Sequence, residues 1–199
     1  MVIPDTPVVL NPGKTYLREK LQEAAHSTAY LDILLRNTLA SKKSPEEKRA
    51  VFYGPVYGSD TAGIKAYTDG SCLNNGSPHA RAGAGVYLGP RNQHNTSLRV
   101  TGGQTNNRGE LLAILYCLST LPFDRRLDIY SDSEYSIRSI FYWAPSHAEA
   151  GWKCANADLL QDIVSWIKFR SAPLHFFHVK AHNGNQHNEA ADTAAKAGA

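Results

Sequence analysis

The chain is poor in sulfur, with one methionine and three cysteines (Cys72, Cys117 and Cys154) in 199 residues. An odd number of scattered cysteines gives no disulfide framework, and the first residues, Met1-Val2-Ile3-Pro4-Asp5, hold neither the basic start nor the apolar core of a secretion signal. A reducing, intracellular setting, cytoplasm or nucleus, is therefore expected. No apolar run approaches the roughly 18–20 residues that cross a bilayer, and no lipidation motif is present, so no membrane association is expected. Charge of one sign is lacking as well. Lys and Arg number 21 against 18 Asp and Glu, a net of +3, so a polyanionic partner must be argued from local groups. What remains is a chain with 42% apolar residues, enough for one domain of ordinary size with an extension.

The texture divides near Gly58-Ser59-Asp60. Before it, Leu17, Leu21, Ala24, Ala25, Leu31, Leu34 and Leu35 recur at helical spacing and predict one helix over residues 16–40. Ser44-Pro45-Glu46-Glu47 starts a second, shorter helix, with a cap, a proline in the first turn and early acids. Gly54-Pro55-Val56-Tyr57-Gly58 reads as a linker. Residues 1–60 carry 8 basic and 7 acidic residues, which fits a helical packing element, self-association or a protein partner through residues 16–40, better than a nucleic-acid arm. The expected division is an N-terminal helical extension and linker over 1–60 and a second domain over 61–199.

From residue 61 the pattern is of strands at 64–69, 83–89 and 96–101, then a helix from Arg108 to Leu121 stopped by Pro122. Leu127–Ser131 is a strand, Ser133–Trp143 and Ala157–Arg170 are helices, Leu174–Lys180 is a strand, and a last helix starts near Asn188. The order βββαβααβα predicts an α/β fold: a five-stranded mixed sheet, three antiparallel strands then two parallel ones, flanked by helices.

Four acids stand out by position. Asp69 and Asp132 each close an apolar strand, so neighbouring strands would bring both to one sheet edge. Glu110 is the one acid on its helix, and Asp192 sits among Ala190, Ala191, Ala194 and Ala195, whose small side chains permit close helix approach. Clustered carboxylates repel, which suits them to hard divalent cations; no Cys-x-x-Cys or paired histidines accompany them, which disfavours zinc. Singly, each acid has an ordinary alternative as a helix cap, a first-turn acid or a surface residue.

The ordered set with its flanks resembles type 1 ribonuclease H over residues 62–198. The matching blocks are Tyr67-Thr68-Asp69-Gly70-Ser71-Cys72, Ala82-Gly83-Ala84-Gly85-Val86-Tyr87, Gln104-Thr105-Asn106-Asn107-Arg108-Gly109-Glu110, Tyr130-Ser131-Asp132-Ser133, and Val179-Lys180-Ala181-His182-Asn183-Gly184 followed by Asn188-Glu189-Ala190-Ala191-Asp192. The resemblance implies a ribonuclease H-like fold in which Asp69, Glu110, Asp132 and Asp192 bind two Mg²⁺ ions, with Mn²⁺ as a substitute, and hydrolyse the RNA strand of an RNA–DNA hybrid, leaving 5′-phosphate and 3′-hydroxyl ends. It also implies that His182 assists proton transfer or product departure.

For the substrate, the resemblance points to Asn74, Asn75, Asn106 and Asn107, with the backbone around Cys72, as contacts to 2′-hydroxyls and base edges in the minor groove. Turn chemistry is the alternative for Asn74-Asn75-Gly76. Thr105 and Asn156 resemble a DNA-strand phosphate pocket, and Tyr135 and Trp143 aromatics of the DNA-strand channel, with core packing as their alternative. Two departures weaken the match. Gly103 stands where the pocket arginine is expected, and residues 144–151 hold no Lys or Arg where many relatives carry a basic handle. A catalytically silenced relative that only binds nucleic acid or protein would have lost a carboxylate; none is lost. A retroelement-derived domain would share the chemistry.

Overall fold

Short runs of β-branched, aromatic and small residues between turn residues form the strands, and the computed structural model of the chain describes residues 8–9, 51–54, 62–181 and 184–199. The helix expected over 16–40, with any self-association or partner contact through it, the start of the helix from Ser44, most of the linker and His182 lie outside the described residues. The strands are β1 (Val8–Val9), β2 (Ile64–Leu73), β3 (Arg81–Tyr87), β4 (Thr96–Arg99), β5 (Leu127–Ser131) and β6 (Leu174–His178). The helices are α1 (Asn106–Thr120), α2 (Glu134–Arg138), α3 (Ala144–Glu149), α4 (Ala157–Phe169) and α5 (Gln186–Gly198).

The sheet order is β1-β6-β5-β2-β3-β4. β2, β3 and β4 form the antiparallel meander, and β2, β5 and β6 run parallel. The five expected strands are thus present in the expected sense. β1 adds a two-residue sixth strand, antiparallel to β6.

Ala66, Ile129 and Phe176 lie in register across β2, β5 and β6 and are buried, as are Leu111, Ile114 and Leu118 of α1 and Leu160, Ile163 and Ile167 of α4. This is the larger core, on one face of the sheet. α5 packs on the other face, against β2, β3 and β4. The contact is close because β3 offers glycine there: a Cβ on Gly85 would collide with the carbonyl of Ala191, itself fully buried. Asp192 is carried to the sheet by this packing of glycine on alanine.

Several boundaries differ from expectation, for local reasons. β2 does not end at Asp69 but continues to Leu73, because Gly70, Ser71 and Cys72 stay paired with β3. Asp69 is therefore interior to a strand. α1 starts two residues before Arg108, because the Thr105 side chain accepts from the Arg108 N–H and caps the helix. The helix expected to run unbroken from Ser133 to Trp143 is α2 followed by a π-turn over Ser139–Trp143. Pro145 lacks the N–H that an α-helix would aim at the carbonyl of Phe141, so the ladder widens there before restarting as α3, a helix not foreseen in the sequence. β6 ends at His178 and α5 begins at Gln186, each two residues earlier than expected.

Candidate active site

Parallel pairing of β2 with β5 sets Thr68 opposite Ser131, so Asp69 and Asp132, the next residues, lie side by side. Glu110 arrives from α1. The first turns of that helix rest directly on β2, since a Cβ on Gly70 would strike the Glu110 backbone nitrogen. One carboxylate oxygen from each of Asp69, Glu110 and Asp132 falls within 4.8 Å of the others. Three elements far apart in sequence thus deliver three acids to one point.

Electrostatics there are unfavourable without a cation. Burial, then the charge of Asp132, pushes the Asp69 carboxyl from 3.8 up to about 7, although the Gly70 N–H donates to its Oδ1 at 2.8 Å. Burial and the charges of Asp69 and Asp132 hold Glu110 well above the usual carboxylate range, and its Oε2 has no hydrogen-bond partner. A carboxylate is left both buried and unsatisfied only where something else completes it.

These acids line an open cavity of about 420 Å³ that also receives Asn106, Asn107 and Asp192. Asp192 stands at its margin and accepts from Lys196 Nζ at 2.6 Å, one turn along α5. The structure therefore brings together all four acids singled out in the sequence, three tightly and the fourth on the same cavity. It adds residues to which the sequence assigned no role: Ser71, Ser133, Asn188 and Lys196 also face the cavity. The signal for two of them was present, because Asn188, Asp192 and Lys196 recur every four residues on one helical face.

Tyr135 lines the cavity as well, whereas Cys72, Asn74, Asn75, Thr105, Trp143 and Asn156 lie outside it. Asn74, with φ at +53°, and Asn75 are exposed turn residues, and the Asn74 carbonyl accepts from the Ser77 N–H. Cys72 is half-buried, its Sγ 3.5 Å from the Gln104 carbonyl. Thr105 spends its hydroxyl on the α1 cap. Asn156 donates to the Tyr135 hydroxyl at 3.1 Å and accepts from Arg108. Tyr135 and Trp143 are half-buried and meet edge to face, ring centroids 6.4 Å apart. Gly103 is exposed, and the nearby guanidinium of Arg108 is engaged by both oxygens of Asp158, which it holds down at about 2.

A mixed sheet of three antiparallel and two parallel strands, with carboxylates meeting at its centre, defines the ribonuclease H-like class of proteins. The ribonuclease H family matches residues 61–199, and the chain belongs to that family, in its type 1 branch. Among curated relatives it is 34% identical over 142 residues to human ribonuclease H1, covering 68% of this chain and 50% of that protein. It is 33% identical over 186 residues to ribonuclease H of Schizosaccharomyces pombe, covering 88% and 67% respectively. The chain thus spans about half the length of the mammalian relatives it matches. Among solved structures, LC9-RNase H1, a type 1 RNase H with the type 2 active-site motif, aligns with a TM-score of 0.53 and 25% identity over 70% of this chain and 74% of that one. The PFV RNase H domain shares the fold, with a TM-score of 0.51 at 19% identity over 67% of this chain and 92% of that one. Among the described residues no helix is long and apolar enough to cross a membrane.

Proposed function

We propose that this chain cuts the RNA strand of RNA–DNA hybrids internally by metal-dependent hydrolysis, leaving 5′-phosphate and 3′-hydroxyl ends, with two Mg²⁺ ions as cofactor and Mn²⁺ able to replace them. The observation that carries the reading is the convergence of Asp69, Glu110 and Asp132 within 4.8 Å beneath an open cavity. The donors suit a hard dication, because the group is all oxygen and includes no thiolate or imidazole. A bound pair of dications supplies an activated water and neutralises charge at the attacking and leaving oxygens.

The chain's own residues prepare that chemistry. Burial and mutual repulsion raise the carboxyls of Asp69 and Glu110, and as ligands both would offer anionic oxygens to the cations. Asp132 joins them across the strand pair, and Asp192 offers a fourth carboxylate from the rim. Asn106 and Asn107 present amides to the cavity, where they would meet a minor groove and its 2′-hydroxyls. Cys72, Asn74 and Asn75 would extend that contact along the β2–β3 turn. On the DNA strand, Thr105, Asn156, Tyr135 and Trp143 would supply neutral contacts, since Arg108 is neutralised by Asp158. His182 would assist proton transfer or product departure, and His182→Ala should slow turnover far less than loss of a carboxylate. The test is a cleavage assay with Mg²⁺ on matched hybrid, double-stranded RNA and double-stranded DNA. Cleavage confined to the RNA of the hybrid is expected; a folded protein that leaves hybrid intact with either ion overturns the reading.

Weak electrostatic grip follows from the same site. Residues 144–151, α3 and the two residues after it, hold no Lys or Arg, and Ser146 and Glu149 are the exposed positions of α3, whereas Ala148 packs against the core. Ser146→Lys with Glu149→Lys should tighten hybrid binding and steepen the log-affinity against log-salt slope by up to about 0.9 per added phosphate contact. A salt titration with Ca²⁺ in place of Mg²⁺ measures this. An unchanged slope would mean that α3 does not reach the nucleic acid.

A further inference from the structure

Asn188 opens α5 in its first turn, held there because the Asn185 side chain caps the helix by accepting from the His187 and Asn188 N–H groups. It is 4% exposed, a rare placement for an amide side chain unless both ends are satisfied. One end is: Nδ2 donates to Asp132 Oδ2 at 3.1 Å. In that orientation the NH₂ group donates and the carboxylate oxygen accepts. The other end is not, since Oδ1 is buried without any hydrogen-bond partner, and Asn188 lines the cavity of the four carboxylates.

We propose that Asn188 is the positioning residue of the cation site. Its NH₂ group ties up one oxygen of Asp132 and turns the other toward Asp69 and Glu110, while its amide oxygen waits for an O–H donor that arrives with the cation, a water of hydration. The inference rests on the metal-dependent reading of the site, and it adds a role for the amide that the four acids do not require. The geometry explains why an amide rather than a fifth acid stands there: a carboxylate could not donate to Asp132 and would add a like charge. A hydrated dication matches the orphan oxygen, because Mg²⁺ releases its waters reluctantly and brings donors with it. Groups that orient a ligand in this way commonly change metal affinity by about 10- to 100-fold when removed.

The experiment is calorimetric titration of the full chain with Mg²⁺ and with Mn²⁺ in the absence of nucleic acid, for wild type, Asn188→Ala, Asn188→Gln, Asp132→Asn and the Asp132→Asn/Asn188→Ala pair. Asn188→Ala should weaken binding about tenfold, whereas its binding of hybrid in EDTA should match wild type. In the Asp132→Asn background the same change should cost less than twofold, because the carboxylate it positions is gone. If Asn188→Ala fails to fold, Asn188→Gln is read instead, with its amide displaced by one methylene and the same loss of affinity expected. Wild type that binds no divalent ion overturns the metal-dependent reading itself. Wild type that binds, with both Asn188 variants within twofold of it, overturns the positioning role alone. So does an equal loss in the Asp132→Asn background, which would mean that Asn188 acts independently of that carboxylate.

Discussion

Asp69→Asn is expected to abolish cleavage of hybrid by at least three orders of magnitude while raising the melting temperature of the metal-free protein at pH 8. Both effects have one origin. Asp69 is held in the middle of β2 beside Asp132 and Glu110, where its carboxyl is lifted from 3.8 to about 7, chiefly by burial. Well below pH 3.8 the group is neutral in the folded and unfolded chains alike, and no penalty exists. Between there and pH 7 the unfolded chain ionises first, so stability falls as pH rises; above 7 the penalty is complete. For a shift of this size it amounts to about 4 kcal/mol at most, shared with Glu110. Asparagine keeps the shape and cannot ionise, so it removes that cost, and a gain of roughly 5–10 °C at pH 8 should shrink to almost nothing near pH 3. Saturating Mg²⁺ should stabilise wild type and leave the variant almost unmoved. Thermal unfolding at the two pH values, with and without Mg²⁺, and a cleavage time course measure these effects. Residual metal-dependent cleavage by Asp69→Asn, or equal melting at pH 8, would show that this carboxylate is not the charged centre of the site.

Much of this was legible in the sequence because strand, turn and helix each carry local chemistry. The meander, the parallel pair and the helix bearing Glu110 follow from periodicity and from Pro122, and the four acids were found because each closes or flanks an apolar run. What escaped detection depends on pairing across distance. Nothing local to Tyr67-Thr68-Asp69-Gly70 reveals that β2 runs on to Leu73, since that extension exists only through its ladder with β3. α3 escaped because a proline ordinarily ends a helical pattern, whereas Pro145 stands in the first turn of a new helix and is compatible with it. Asn188 escaped because an asparagine near a helix start is ordinarily a cap; its place beside Asp132 is set by Gly85, which lets α5 settle onto the sheet.

The N-terminal side yields the other large effect: a fragment beginning at Gly58 is expected to fold and cleave, but to melt roughly 5–10 °C lower than the full chain. The expected boundary at residue 60 coincides with the start of the family match at residue 61. The core reaches further upstream. Residues 51–53 are helical, and Val51, Phe52 and Tyr53 are 3%, 6% and 2% exposed. The Tyr53 hydroxyl donates to the Ile140 carbonyl in the π-turn, and the Lys168 ammonium of α4 lies 4.4 Å above the Phe52 ring. Removing three such side chains forfeits about 1.5–3 kcal/mol of burial each. Releasing their backbone from order returns about 1–2 kcal/mol per residue. At mid-range a net loss of about 2 kcal/mol remains, which corresponds to the stated drop for a domain of this size. Cleavage should survive, since every acid of the site lies at or after Asp69. Phe52→Ala in the full chain tests the same packing without truncation, and should lose most of the same stability through the cavity it leaves. Melting curves for the fragment and for Phe52→Ala that overlay wild type would place the physical boundary at residue 60, with residues 51–53 contributing nothing to the fold.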